Sequence, residues 1–407
     1  MPLGASVGAL IAAVTVEKCG RKFTLILSSL PCVIGWLMIT YAVGVYVLLI
    51  GRLFTGLCVG MVLLSAPVYI AETTTPETRG FFCSGSMLFG AFGVFIVYLL
   101  GIYLNWAWLA ISCTIYPVLF LAILCFLPES PVFLMKKKLH FEAHESLTFL
   151  YGNRSNLIDL KYDHDEEHST IRDLYKREIL VPLVLCLNLM FFQQFSAANV
   201  VIFYSGEMLK TIHGNSKYNT IAIPAVGVIF TFLATLLTDK AGRKTLLIAS
   251  GAIMSLAMAA IAIIYYLVRL KGEQLDDKFG FLVLIAMCVF VAAYSIGYGP
   301  IPFLLMSEYI PVKVKGIASG ISVCFNWLCA FVITKLFNYL LQMISEEGTY
   351  LFFSLISAFS VLFVYIKIFE TKGKSLAEIE DYFKQTYYPN IENLNENFDE
   401  PLFVNNE

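Results

Sequence analysis

The sequence predicts an all-α membrane protein made of two helical bundles, on three observations. Of 407 residues, 58% are hydrophobic and only 14% charged, and the mean hydropathy is +0.75. A water-soluble globule has no means of covering that much apolar side chain with polar surface. Apolar runs long enough to cross a bilayer recur from one end of the chain to the other. Charged signatures of the first half recur in the second half in the same order. The same composition excludes other classes. A net charge of −2 and a pI near 6.2 provide no basic field for nucleic acid, and so much apolar surface is incompatible with a disordered chain. Most of the ten cysteines (Cys32, Cys58, Cys125, Cys186, Cys288, Cys324, Cys329) lie inside apolar runs, where a thiol behaves as a small hydrophobe rather than as half of a disulfide.

Taken in order, the apolar runs are 2–16, 23–44, 46–71, 81–104, 107–127, 179–204, 219–238, 245–268, 280–306, 316–341 and 349–369, eleven in all. None alternates as the strands of a membrane barrel do. The first run has 15 residues and starts directly after Met1, without a basic flank or a small-residue cleavage site, so it is not a signal peptide. At 1.5 Å per residue it reaches about 22 Å against a hydrocarbon core of about 30 Å. An odd count that opens in mid-helix predicts that upstream sequence is lacking. Basic residues set the orientation: alternate connections and the tail hold 21 of the 28 Lys and Arg, the opposite connections five. The richer side, with the C-terminus, is expected in the cytoplasm. Asn153, the one Asn-x-Ser/Thr acceptor, falls on that side and is expected to stay unglycosylated.

The runs divide the chain into an N-terminal bundle over 1–127 with five spans, a charged connection over 128–178, a C-terminal bundle over 179–369 with six spans, and an acidic tail over 370–407. In the connection, Leu139, Ala143, Leu147 and Leu150 recur at helical spacing. It reads as a solvated tether, or as a tether that also latches the bundles. The tail holds nine acidic and three basic residues with Asn repeats, and its end is expected to be disordered.

Glu17-Lys-Cys-Gly-Arg-Lys22 returns as Asp239-Lys-Ala-Gly-Arg-Lys244. Glu72 with Arg79-Gly80 returns as Glu308 with Lys315-Gly316, and Pro128-Glu-Ser-Pro131 has a weaker echo in Glu370-Thr-Lys-Gly373. Three pairs in one order mean duplication, and parallel repeats with a site between them are a transporter architecture. These loops, together with PVYIAE (67–72), QQFSAANVVIFYS (193–205), GYGPIPF (297–303), Asn326-Trp327 and ETKGKS (370–375), resemble the sugar porters of the major facilitator superfamily, and among them most the insect facilitated trehalose transporters. The resemblance spans nearly the whole chain. It implies the major facilitator fold, with two pseudo-symmetric bundles and twelve helices, of which the first is missing here. It also implies facilitated transport of a neutral sugar, trehalose or a hexose, across the cell membrane.

A sugar needs groups that donate and accept, and amides do both. Gln193, Gln194 and Asn199 share one span, and Asn326 with Trp327 lies in another. On a straight helix the first three do not share a stripe, so either the helix unwinds near Ser196 or the cavity wraps around it. Such amides also hold helices together by interhelical hydrogen bonds; the resemblance implies that these positions hold sugar. In Gly297-Tyr-Gly-Pro-Ile-Pro302, Pro300 and Pro302 break the helix ladder, as a static kink or, as the resemblance implies, a gating bend. Phe303 stands where the family commonly has Trp, Gly227 where many hexose transporters have Asn, and Met87 where they have Gln; these departures weigh against glucose-like recognition. The cytoplasmic charges Glu17, Arg21, Glu72, Arg79 and Glu129 match Asp239, Arg243, Glu308, Lys315 and Glu370. They read as topology signals in solvent, or, as the resemblance implies, as contacts that hold an inner gate shut. Val132 replaces the Arg that often follows PESP. No HExxH, GxSxG or phosphate loop occurs, so the expectation is a non-enzyme without cofactor or metal whose partners are a sugar and the lipid bilayer. A proton-coupled symporter and a non-transporting sugar sensor are the alternatives, and the oligomeric state is unassigned.

Overall fold

The computed structural model describes residues 1–74, 76–152, 175–208, 216–271, 277–311, 314–374 and 376–387. Within them the chain forms α1 (Pro2–Lys18), α2 (Arg21–Thr40), α3 (Val45–Thr73), α4 (Pro76–Tyr103), α5 (Trp106–Phe126), α6 (Pro131–Lys136), α7 (His140–Tyr151), α8 (Arg177–Phe195), α9 (Ala198–Met208), α10 (Ser216–Ala241), α11 (Arg243–Lys271), α12 (Asp277–Ile296), α13 (Ile301–Tyr309), α14 (Lys315–Ile344), α15 (Glu346–Lys367) and α16 (Leu376–Tyr387). Ten segments among the described residues are long and apolar enough to cross a membrane. Two of these, Glu178–Ser205 and Phe279–Tyr309, are interrupted and comprise α8–α9 and α12–α13. The expected count of eleven is not confirmed, because α1 has only 17 residues and falls short of a full span.

Lipid tails solvate apolar side chains as well as a protein core does, so helices here associate through close backbone approach. Glycines provide it. In α1, Gly4 and Gly8 face the carbonyls of Leu53 and Leu57 on α3, and Gly56 and Gly60 on α3 face those of Met1 and Ala5. A Cβ at Gly60 would come within 2.0 Å of the Ala5 oxygen, so nothing larger fits this seam. Outward, large apolar side chains such as Phe89, Phe126, Leu256 and Phe359 remain exposed, as a lipid-facing surface requires. Inward, the largest core gathers Leu189, Met190, Met254, Met258, Phe290 and Phe353 from α8, α11, α12 and α15. The two bundles meet along α1 against α14 and along α4 against α10.

In the connection, α6 and α7 pack together, burying Ala143 and Leu147 as their spacing predicts; residues 153–174, with Asn153, lie outside the described residues. The Ser146 hydroxyl donates to the Glu129 carbonyl at 2.7 Å, tying α7 back to the end of the first bundle. The tail begins with a helix that sequence reading passed over. α16 buries Ile379 and Phe383, one turn apart, against α8 and α13, and Tyr382 stacks on Phe369 with ring centroids 3.6 Å apart. The Asn-rich end, 388–407, lies outside the described residues.

Candidate functional site

The site forms where two membrane helices break. α8 ends at Phe195, Ser196 turns, Ala197 takes φ +72°, and α9 resumes at Ala198. This unwinding turns Asn199 toward Gln194, which a straight helix forbids. The second break falls at Gly297–Pro300, between α12 and α13. Pro302 has no N–H to give the carbonyl four residues back, that of Tyr298. Gln193 takes its place: its Nε2 donates to the Tyr298 oxygen at 2.7 Å and to the Gly299 oxygen at 3.0 Å.

The four amides form one network. Gln193 Oε1 accepts from Asn326 Nδ2 at 2.6 Å and from Gln194 Nε2 at 3.3 Å. Gln194 Nε2 also donates to Asn326 Oδ1 at 3.1 Å, and Asn199 Nδ2 donates to Gln194 Oε1 at 2.5 Å. Asn326 Nδ2 further approaches the Met190 sulfur at 3.3 Å. Gln193, Gln194 and Asn326 are 1%, 5% and 2% exposed, so the bonds among these three are made out of water, while Asn199 is half-buried. Counting donors and acceptors, all amide hydrogens of Gln193, Gln194 and Asn326 are engaged. What remains is one N–H and the Oδ1 of Asn199, a lone pair each on Gln194 Oε1 and Asn326 Oδ1, and the buried Trp327 Nε1–H, which has no partner among the described residues.

These groups line a cavity of about 260 Å³ between the bundles, just below the usual range for small-molecule sites, about 300–1,000 Å³. Its two sides differ. Gln193, Gln194, Asn199, Asn326 and Trp327 supply a polar wall, whereas Leu63, Met87, Ala91 and Val94 supply an apolar one. Phe303 and Pro300 border the cavity at the α12–α13 break, and on the α10 side Gly227 leaves room between Ile223, Pro224 and Thr231. Sequence reading missed Tyr98, Thr231, Tyr294 and Ser295, which also line it. A signal existed for one of them: Met87, Ala91, Val94 and Tyr98 recur every three or four residues and so share one face of α4. The Tyr98 hydroxyl donates to the Ile202 oxygen at 2.6 Å, joining α4 to α9 across the bundles.

The charged signatures assemble into two equivalent clusters, each within its own bundle. Arg21 grips Glu72 through two bonds of 2.8 Å, and the Glu129 carboxylate accepts the backbone N–H of Arg21 and Lys22 at 3.0 and 2.9 Å. In the other bundle Arg243 Nη2 lies 3.4 Å from Glu308 Oε1, and Glu370 accepts the N–H of Arg243 and Lys244 at 2.9 and 3.0 Å. The turn glycines make this possible: Gly20 and Gly242 take φ +111° and +90°, and a Cβ on either would run into the capping carboxylate. Glu17 reaches across. Its Oε2 binds Lys136 Nζ at 2.9 Å, while its Oε1 faces Gly316 at the start of α14, beside Lys315. Burial raises the Glu17 pKa, but the Lys136 hydrogen bond and the charges of Arg21, Lys136 and Lys137 outweigh it and hold the carboxyl below its ordinary value. The side chains of Arg79 and Asp239 lie outside the described residues.

Two repeated bundles around a cavity at a pair of broken helices define a secondary transporter. The chain belongs to the family described as Sugar (and other) transporter, which matches residues 1–383. It is 35% identical over 394 residues to the facilitated trehalose transporter Tret1 of Apis mellifera ligustica, covering 94% of this chain and 78% of that protein. It is likewise 35% identical over 398 residues to the mouse solute carrier family 2, facilitated glucose transporter member 8, covering 94% and 83%. With Tret1 of Anopheles gambiae it shares 36% identity over 391 residues, 93% of this chain but only about half, 49%, of that relative's length. Among solved structures, the partially occluded inward-open xylose transporter XylE from E. coli superposes with a TM-score of 0.75 at 23% identity, over 92% of this chain and 87% of that one. That likeness is one of fold.

Proposed function

We propose that the chain is a facilitative carrier that moves a neutral sugar, trehalose or a hexose, down its gradient by alternating access across the cell membrane, with its C-terminus in the cytoplasm. The observation that carries this reading is the buried amide network, whose unspent donors and acceptors face the cavity between the bundles. Gln194, Asn199, Asn326 and Trp327 bind sugar hydroxyls, Phe303 offers a ring face, and Gln193 fixes the α12–α13 break against α8. Relatives named as facilitated trehalose and glucose transporters support the cargo class. Pro300 and Pro302 provide the bend. The clusters of Arg21, Glu72 and Glu129, and of Arg243, Glu308 and Glu370, stiffen the cytoplasmic ends of bundles 1–127 and 179–369, with Glu17 and Lys315 at their meeting line and Arg79 and Asp239 completing the signatures. Uptake of labelled trehalose and glucose into vesicles, with and without a protonophore, tests it. Saturable uptake that survives the protonophore is expected; uptake that collapses with the proton gradient identifies a symporter, and binding without uptake a sensor.

A further inference from the structure

A second cavity, of about 490 Å³, opens on the lipid-facing side between α8 and α15. Phe191, Phe192, Ile356, Phe359 and Phe363 line it, and Lys367 closes one end. Its shape follows the bilayer. α15 has 22 residues, Glu346–Lys367, or about 33 Å of helix against a core of about 30 Å. The groove runs along α15 from Ile356 to Lys367, about 16 Å or one leaflet. Rings make a firm floor: Phe191 stacks on Phe195 at 4.3 Å, and Phe192 meets Phe363 at 5.3 Å between centroids. Among the described residues no carboxylate pairs with Lys367, and the nearby Glu370 is committed to the N–H groups of Arg243 and Lys244. The floor also backs directly onto the site, since Phe191 and Phe192 immediately precede Gln193 on α8.

We propose that this groove is a binding site for an anionic phospholipid of the cytoplasmic leaflet, with one acyl chain laid along the phenylalanines and the phosphate on Lys367 Nζ. Charge complementarity favours an anionic headgroup over a zwitterionic one, and the one-leaflet length favours a lipid over a transmembrane partner helix. The orientation rests on the transporter reading; the binding does not. The test places a fluorescent reporter in the groove of the full chain as Phe359→Trp, a lipid-exposed position, in phosphatidylcholine vesicles. Phosphatidylglycerol or phosphatidylcholine brominated in mid-chain is then added at equal mole fraction, and the parent chain is subtracted. Phosphatidylglycerol should quench the added emission at about fivefold lower mole fraction than phosphatidylcholine, and Lys367→Gln should abolish that difference, whereas Lys138→Gln, at an exposed lysine between α6 and α7 that does not line the groove, should not. Native mass spectrometry of the chain without the tryptophan should show the same loss of phosphatidylglycerol adducts in Lys367→Gln. Equal quenching by both lipids, or a preference that persists in Lys367→Gln, overturns the proposal. A chain that fails to move sugar yet keeps the preference refutes the transport reading alone.

Discussion

At the scale of single residues, the two adjacent glutamines do different work. Both donors of Gln193 serve backbone carbonyls of the α12–α13 break, one of them orphaned by Pro302. Gln193→Leu should therefore act chiefly on the fold, costing about 1–3 kcal/mol for the carbonyls left unpaired, read as a lower unfolding temperature in detergent. Gln194 bonds Asn199 and Asn326, the amides proposed to meet the cargo. In Gln194→Leu, sugar affinity should fall about 5- to 150-fold at normal surface expression, and unchanged uptake kinetics would remove it from the site. Asn199 is the amide with most capacity to spare, so Asn199→Ala should raise the KM for uptake with little change in unfolding temperature. Glu17 supplies a pH expectation. Its carboxyl titrates below the ordinary carboxylate value, so the Lys136 contact is present above that value and is lost only as pH falls through the lowered one. Transport should thus show no transition from this group between about pH 5 and 8, as a pH series of uptake in Glu17→Gln and parent chains would reveal.

At the scale of elements, the long apolar helices were legible because length and hydropathy alone select them, and Pro300 and Pro302 announced the break they cause. The unwinding at Ser196–Ala197 was legible only as one of two options, since no proline or glycine marks it. What fills the carbonyls freed by Pro302 was illegible: Gln193 lies about a hundred residues away, and only the fold brings it near. α16 was hidden by its acidic composition, although Ile379 and Phe383 at helical spacing carried the signal. Because its apolar face is so short, α16 depends on that contact. Truncating the 3%-exposed ring in Phe383→Ala should undock it and speed proteolysis of the tail in the intact chain. The Gly-Arg-Lys turns are rigid for a different reason. Gly242→Ala would both strain a positive φ and displace the Glu370 carboxylate, costing about 1–3 kcal/mol in thermal unfolding.

For the whole molecule, the bundles meet closely along α1 and α14, and in a carrier that works as proposed this line would open and close one face of the cavity. Gly320 admits Ala13 so closely that an added Cβ would sit 2.6 Å from its methyl. Gly320→Val should pry the two helices apart and raise labelling of a cavity thiol introduced as Thr231→Cys by a reagent added from the side of the Gly-Arg-Lys turns. Neutralising both Glu72 and Glu308 should act in the same direction; if the labelling rate stays the same, those carboxylates serve their own bundles only. The amide network carries a consequence for speed. Its members satisfy most of one another's groups, so a sugar bound as proposed takes up only those left over: one N–H and the Oδ1 of Asn199, a lone pair each on Gln194 and Asn326, and the Trp327 N–H. Each such bond has a net worth of only about 0.5–1.5 kcal/mol, so on the proposed reading retention should be loose. Departure then needs no partner to peel the cargo away, because the amides stay bonded to one another as it leaves. A carrier that works as proposed should therefore release cargo quickly to either side and take its direction from concentration alone.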